Sequence, residues 1–195
     1  MSLENWNWGK DGSHIDLATV RPLVEQRHAG NRVRMLHHNA YRCRSAEETR
    51  HFYEDILEMP LVAALFEPLN AVTHEPDPYV HLYFELADGS CLAFFDYPGL
   101  FRRENTTFDE NNPYMQHIAL QVDGEEQIEY YKERLSRHDV EYFELDHGYC
   151  HSIYFSDPNG MRVEFTSNVA VTEQFFADAA HTAHDDLKRW MELRA

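Results

Sequence analysis

The chain has 195 residues, 17 of them basic and 34 acidic, for a formal charge of −17. That balance repels nucleic-acid phosphates and anionic membrane surfaces, and excludes both as partners. The length allows one large domain or two small modules, burying roughly 70% of the unfolded surface in a self-sufficient core.

Cys43, Cys91 and Cys150 are odd in number and lack CxxC spacing. Neither a disulfide framework nor a zinc ribbon is expected, and a reducing cytoplasm fits. There is no basic-then-apolar leader and no apolar run of the ~18 residues that a membrane span needs, so the expected protein is neither secreted nor membrane-embedded. Many of the 13 histidines (His14, His28, His74, His181, His184) stand in polar stretches and read as solvated.

Residues 1–32 read as an N-terminal extension with Trp6, Trp8 and a short helical pattern around Pro22. A first module over 33–98 follows. Val33, Met35 and Leu36 to Tyr41 predict a strand, and Ser45 with Glu48 three residues on predicts a capped helix start. Phe52, Tyr53, Ile56 and Leu57 give the helix an apolar stripe, and Pro60 stops it. Strands are expected at Leu61–Phe66, Tyr79–Leu86 and Cys91–Tyr97, with a turn at Ala87-Asp88-Gly89, which makes the unit βαβββ. Residues 99–113 read as a linker.

The same order returns over 114–168. Met115–Val122 predicts a strand, Asp123 with Glu126 repeats the capping pattern, and Ile128, Tyr131 and Leu135 give the helical stripe. Ile153–Phe155 and Arg162–Thr166 flank Asp157-Pro158-Asn159-Gly160 as a hairpin. A constant offset of 78 carries Ser45, Glu47, Glu48, Phe52, Tyr53 and Leu57 onto Asp123, Glu125, Glu126, Tyr130, Tyr131 and Leu135. An offset of 71 carries Tyr83, Phe84, Gly89 and Ala93 onto Tyr154, Phe155, Gly160 and Glu164. The class is therefore α+β, with two tandem βαβββ modules forming a curved mixed sheet around a cavity. A C-terminal segment over 169–195 closes the chain as a helix from Thr172 to Arg194. Its stripe of Phe176, Ala179, Ala183, Leu187 and Trp190 is expected to pack across the sheet or a dimer seam.

Neighbouring residues of a strand point to opposite faces, so only one of His37 and His38 can face the cavity. His38 matches His117 in the repeat, whereas His37 matches Gln116, which selects His38. At the far strands Ala93 matches Glu164. An ionised Glu164 among apolar neighbours needs a partner. Two imidazoles and one carboxylate with open positions are the arrangement of non-haem iron(II) oxygenases. The alternative is two core histidines with ordinary hydrogen bonds and a surface glutamate.

LHHNAYRCRSAEETRHFYEDILEMPL and MQHIALQVDGEEQIEYYKERL, each followed by a hairpin ending in LAFFDYPG or VEFTSN, resemble the paired modules of the vicinal oxygen chelate superfamily. This superfamily includes glyoxalase I, extradiol ring-cleaving dioxygenases and fosfomycin or bleomycin resistance proteins. The resemblance covers residues 33–168. It implies His38, His117 and Glu164 as metal ligands, and the small Ala93 resembles the extradiol pattern rather than the glyoxalase one. It also puts Tyr154 where extradiol enzymes hydrogen-bond a bound catecholate. The pattern departs at Ser90, where those enzymes usually carry an acid/base histidine. His81, on the face of Tyr83, is the preferred substitute. His147 is a second candidate, and His151 is a weaker one because it should point away from Tyr154.

The expected function is thus an iron(II) extradiol-type dioxygenase acting on a small aromatic diol with O₂. The alternatives are a glyoxalase- or epimerase-like lyase or isomerase using Ni, Zn, Co or Mn, and a non-enzymatic, bleomycin-resistance-like sequestering protein. The terminal segments fit a homodimer.

Overall fold

A computed structural model describes residues 35–70, 73–97 and 116–193. The N-terminal extension with Trp6 and Trp8, the start of the first strand at Val33, and the linker lie outside the described residues. One unit, spanning 34–146 and 151–167, carries both modules.

In the first module, β1 (His38–Arg42) leads to α1 (Ala46–Arg50), which continues as π-helical turns over His51–Ile56. The Ser45 side chain accepts from the Glu48 N–H at 3.2 Å, the cap that the sequence predicts. The widened turns close with Leu57 N–H donating to the Phe52 carbonyl at 3.0 Å. Phe52, Tyr53, Ile56 and Leu57 are all buried, as their spacing predicts. Then come β2 (Leu61–Leu69), β3 (Pro76–Glu85) and β4 (Cys91–Asp96), in the sheet order β1-β4-β3-β2. β1 begins at His38, later than the apolar pattern suggests, and β2 extends past Phe66 to Leu69. β2 is an edge strand whose Val62, Leu65, Phe66 and Leu69 are 44–70% exposed. Its pairing with β3 is broken by register shifts at Leu61/Ala63 and Glu67/Leu69.

The second module repeats the plan with β5 (His117–Val122), α2 (Gly124–Arg137), β6 (Tyr142–Asp146), β7 (Cys150–Ser156) and β8 (Arg162–Asn168), in the order β5-β8-β7-β6. Both sheets are mixed, with a parallel pair at one edge. Asp123 does not repeat the capping seen at Ser45. Its side chain makes no cap hydrogen bond, and instead the Gln127 side chain accepts from the Asp123 N–H at 2.7 Å. The two β-turns match bond for bond at the offset of 71. Leu86 N–H donates to Ser90 O (2.8 Å) and Gly89 N–H to Leu86 O (2.9 Å), just as Asp157 N–H donates to Met161 O (2.9 Å) and Gly160 N–H to Asp157 O (3.0 Å). Gly89 and Gly160 both take positive φ, +82° and +88°, where a side chain would be strained.

The modules are joined through their helices and the second turn. Arg134 donates from Nε to the Ile56 carbonyl (2.7 Å) and from Nη2 to the Asp55 carbonyl (2.6 Å). Those carbonyls end the first helix and are left without helical partners, and a cation there also suits the helix dipole. Asn159, 4% exposed, accepts from the Arg44 N–H (2.8 Å) and donates to Thr49 Oγ1 (3.2 Å) and Asp157 Oδ2 (2.9 Å). Tyr53 hydroxyl also donates to Asp157, at 3.2 Å.

A second unit includes residues 147–150 and 168–193. Its main element is α3 (Thr172–Leu193), whose Thr172 hydroxyl donates to the Tyr149 carbonyl and whose Phe175 ring stacks on Tyr149 at 3.7 Å. Phe176, Leu187 and Trp190 are 54–58% exposed, and burial in the helix is confined to Thr172 and Ala177 in its first turns. Among the described residues no helix is long and apolar enough to cross a membrane.

Candidate functional site

The site is fixed by strand register. β1 and β4 pair with His38 opposite Cys91 and Ala40 opposite Ala93, while β5 and β8 pair with His117 opposite Arg162 and Ala119 opposite Glu164. Each histidine therefore shares a sheet face with the residue that matches it across the parallel pair, Ala93 in one module and Glu164 in the other. The repeat read from the sequence is a repeat of hydrogen-bonded geometry.

In the second module this face assembles a polar pair. His117 Nε2 lies 3.0 Å from Glu164 Oε2, and the Glu164 side chain is only 7% exposed. The His117 ring stands edge-on to Tyr154 at 5.8 Å, and Tyr154 is itself 5% exposed and stacked on Phe143. Arg162 holds its guanidinium over the Phe143 ring, 5.5 Å from its centre. β6, which supplies Phe143, is not singled out by the sequence analysis. Its signal was the aromatic pair Tyr142-Phe143 at the place where the first module has β2.

In the first module the face is aromatic. The His38 ring lies 5.4 Å from Tyr83 and 6.0 Å from His81, and Ala93 is fully buried beside them. His81 is 8% exposed and stacks on Phe95 at 3.7 Å. Among the described residues its Nε2 has no hydrogen-bond partner. Burial, and then the neighbouring His38, hold the His81 imidazole below its ordinary pKa, so it stays neutral at pH 7.

Alternation predicts His37 on the opposite face from His38, yet the two Nδ1 atoms meet at 2.7 Å. The strand begins only at His38, so alternation does not govern the residue before it. Ser90 gives its hydroxyl to Asp88 at 2.6 Å and serves the turn. His151 turns to Glu125 (2.7 Å) and Glu144 (3.4 Å), away from Tyr154 as alternation predicts. His147 lies in the second unit, its ring 5.7 Å from Tyr149.

The structure thus brings together His117, Glu164 and Tyr154 on one sheet, and His38, His81 and Tyr83 on the other. Among the described residues no group of three His, Cys, Asp or Glu side chains is gathered tightly enough to hold a metal ion. The donor chemistry nonetheless fits a cation. Glu164 is a buried carboxylate facing one imidazole, a poorly compensated charge that a divalent ion would neutralise.

The model of the Glyoxalase/Bleomycin resistance protein/Dioxygenase superfamily matches residues 35–165. No curated protein sequence matches the chain. Among solved structures, a glyoxylase/bleomycin resistance protein/dioxygenase domain from Frankia sp. EAN1pec is similar, with a TM-score of 0.57 at 14% identity over 71% of this chain and 95% of that one. A genomically encoded fosfomycin resistance protein from Listeria monocytogenes, complexed with Mn(II) and sulfate, has a TM-score of 0.51 at 19% identity over 71% and 96% of the two chains. A glyoxalase/dioxygenase from Nostoc punctiforme has a TM-score of 0.50 at 19% identity over 72% and 99%. At these identities the likeness is one of fold.

Proposed function

Given that the chain belongs to the Glyoxalase/Bleomycin resistance protein/Dioxygenase superfamily, we propose that it is a metal-dependent enzyme of extradiol-dioxygenase type, acting on a small aromatic diol with iron(II) held by His38, His117 and Glu164. The observation that carries this reading is the buried Glu164 carboxyl 3.0 Å from His117, set against Ala93 at the matching place in the other module. Two imidazoles and one carboxylate leave part of an ion's surface to substrate, which suits ferrous oxygenase chemistry better than a fully protein-ligated shell. When bound, the ion supplies Lewis acidity and redox chemistry with O₂.

The chain's own residues do the rest. His81 Nε2, buried, neutral and without a hydrogen-bond partner among the described residues, accepts the proton that a substrate hydroxyl releases. Tyr154 donates its phenolic proton as a hydrogen bond to a substrate oxygen, with its ring held in place by Phe143. Tyr83 and Phe95 offer apolar surface to an aromatic ring, whereas Phe94 and Phe155, both fully buried, belong to the core. Ala93 offers no base, which disfavours the lyase or isomerase reading with nickel, zinc, cobalt or manganese.

The test is anaerobic loading with iron(II), followed by a catechol panel under air. Oxygen uptake with a yellow ring-fission product is expected, and no uptake with any catechol by an iron-loaded protein refutes the dioxygenase assignment. Turnover of a hemithioacetal without O₂ would establish the lyase instead. His117→Ala and Glu164→Gln are each expected to abolish tight iron binding in elemental analysis.

A further inference from the structure

His117 has an acceptor on its own sheet face, the Glu164 carboxylate, but His38 faces Ala93, which offers none. The partner that His38 does have is its chain neighbour. His37 Nδ1 lies 2.7 Å from His38 Nδ1, with the rings 5.0 Å apart and 73° to each other. His37 is not loosely placed, because its carbonyl accepts from the Cys91 N–H at 3.1 Å and pins its backbone to the start of β4.

A contact between two Nδ1 atoms is a hydrogen bond only if one ring carries the proton there and the other does not. If His38 is the donor, its Nδ1 holds the proton and its Nε2 lone pair is free. His37 is then the Nε2-protonated tautomer. A metal-ligating histidine is commonly held in this way, its second ring nitrogen donating to an acceptor that fixes tautomer and ring orientation.

We propose that His37 is a positioning residue, accepting from His38 Nδ1–H so that His38 presents Nε2 to the metal. This rests on the reading of His38 as a metal ligand. In the first module the histidine is oriented from the residue that precedes it in the chain. The second module has Gln116 at the matching position. Glutamine also carries an acceptor oxygen, so His37→Gln is the conservative variant and His37→Ala the disruptive one.

The test is calorimetric titration of cobalt(II) into EDTA-stripped full-length protein, for wild type, His117→Ala, His37→Ala and His37→Gln. Losing such a second-layer hydrogen bond costs roughly 10–100-fold in metal affinity. His37→Ala should weaken cobalt binding by about that factor, while His37→Gln stays close to wild type and His117→Ala loses tight binding. In the metal-free protein, long-range ¹H–¹⁵N correlation should show His38 protonated at Nδ1 in wild type and in His37→Gln, and a tautomer mixture in His37→Ala. Wild-type affinity in His117→Ala overturns the metal centre itself. Loss in His117→Ala with wild-type affinity in His37→Ala overturns only the role of His37. Equal loss in His37→Ala and His37→Gln also overturns that role, because a hydrogen-bond acceptor would then not be what matters.

Discussion

Replacing Asn159 by alanine tests how far the two modules depend on one another. Its side chain makes three hydrogen bonds, to Arg44 N–H, Thr49 Oγ1 and Asp157 Oδ2, at 2.8, 3.2 and 2.9 Å. Each is worth about 1 kcal/mol net, and a donor stranded without water costs more. Thr49 keeps its own bond to the Ser45 carbonyl at 2.7 Å, and Asp157 keeps Tyr53 and the Met161 N–H, so the loss falls chiefly on the Arg44 N–H and on the turn. The total is about 3 kcal/mol, a large part of the 5–15 kcal/mol typical of a folded domain. With a urea slope of about 2 kcal/mol per molar, the unfolding midpoint should fall by about 1.5 M. Asn159→Asp keeps the acceptor for Arg44 but sets a second carboxylate against Asp157. It should be at least as unstable at pH 7, recovering as the pH falls. Urea unfolding followed by tryptophan fluorescence and circular dichroism reads all of this. A midpoint shift below about 0.3 M for Asn159→Ala, on the same slope, refutes the idea that this side chain ties the halves together.

Other outcomes follow from the same geometry. Ser45→Ala should cost about 1 kcal/mol, the usual worth of an N-cap, whereas Asp123→Ala should be nearly neutral because its side chain caps nothing. Equal costs in urea unfolding would contradict the observed difference. Burial pushes the Asp157 carboxyl above its ordinary value, against the pull of its Asn159 and Met161 donors. The folded state then holds that proton more tightly than the unfolded chain, so the contribution of Asp157 is greatest at low pH and declines as pH rises above about 4. The stability of wild type relative to Asp157→Asn should fall across that range, and a rise would reverse the sign of the argument. His81→Ala should keep iron and lower turnover by about 10²-fold or more, as loss of a proton acceptor does. Loss of iron would make His81 a ligand.

Much of this was legible in the sequence because the chain says the same thing twice. Tyr83/Tyr154 and Gly89/Gly160 set the strand register, and two turns with identical backbone bonds bear it out. The buried stripe of α1 was readable from spacing alone, since burial of an amphipathic face is what holds such a helix. What escaped were features decided by single side chains. His37 stands one residue outside the strand, where no periodicity applies. Asp123 has the right residue type for a cap, but its side chain accepts no helix N–H, and the capping bond there runs the other way, from the Asp123 N–H to the Gln127 side chain. The stripe of α3 stands more than half exposed in the single chain at Phe176, Leu187 and Trp190, because a hydrophobic pattern states what a helix could cover and does not name the surface that covers it.

The outermost strand of the first sheet has a consequence for handling the protein. Among the described residues β2 offers an unpaired backbone edge and half-bare aliphatic and aromatic side chains, the kind of ribbon onto which a stranger's chain can zip. Its two irregularities and Pro68, which has no N–H to give, interrupt that ribbon. The strong negative charge of the whole molecule opposes non-specific association. Acidification titrates that repulsion away while leaving the greasy margin untouched, so clouding on the approach to neutrality of charge should begin at this strand. A lysine at Phe66 should delay it.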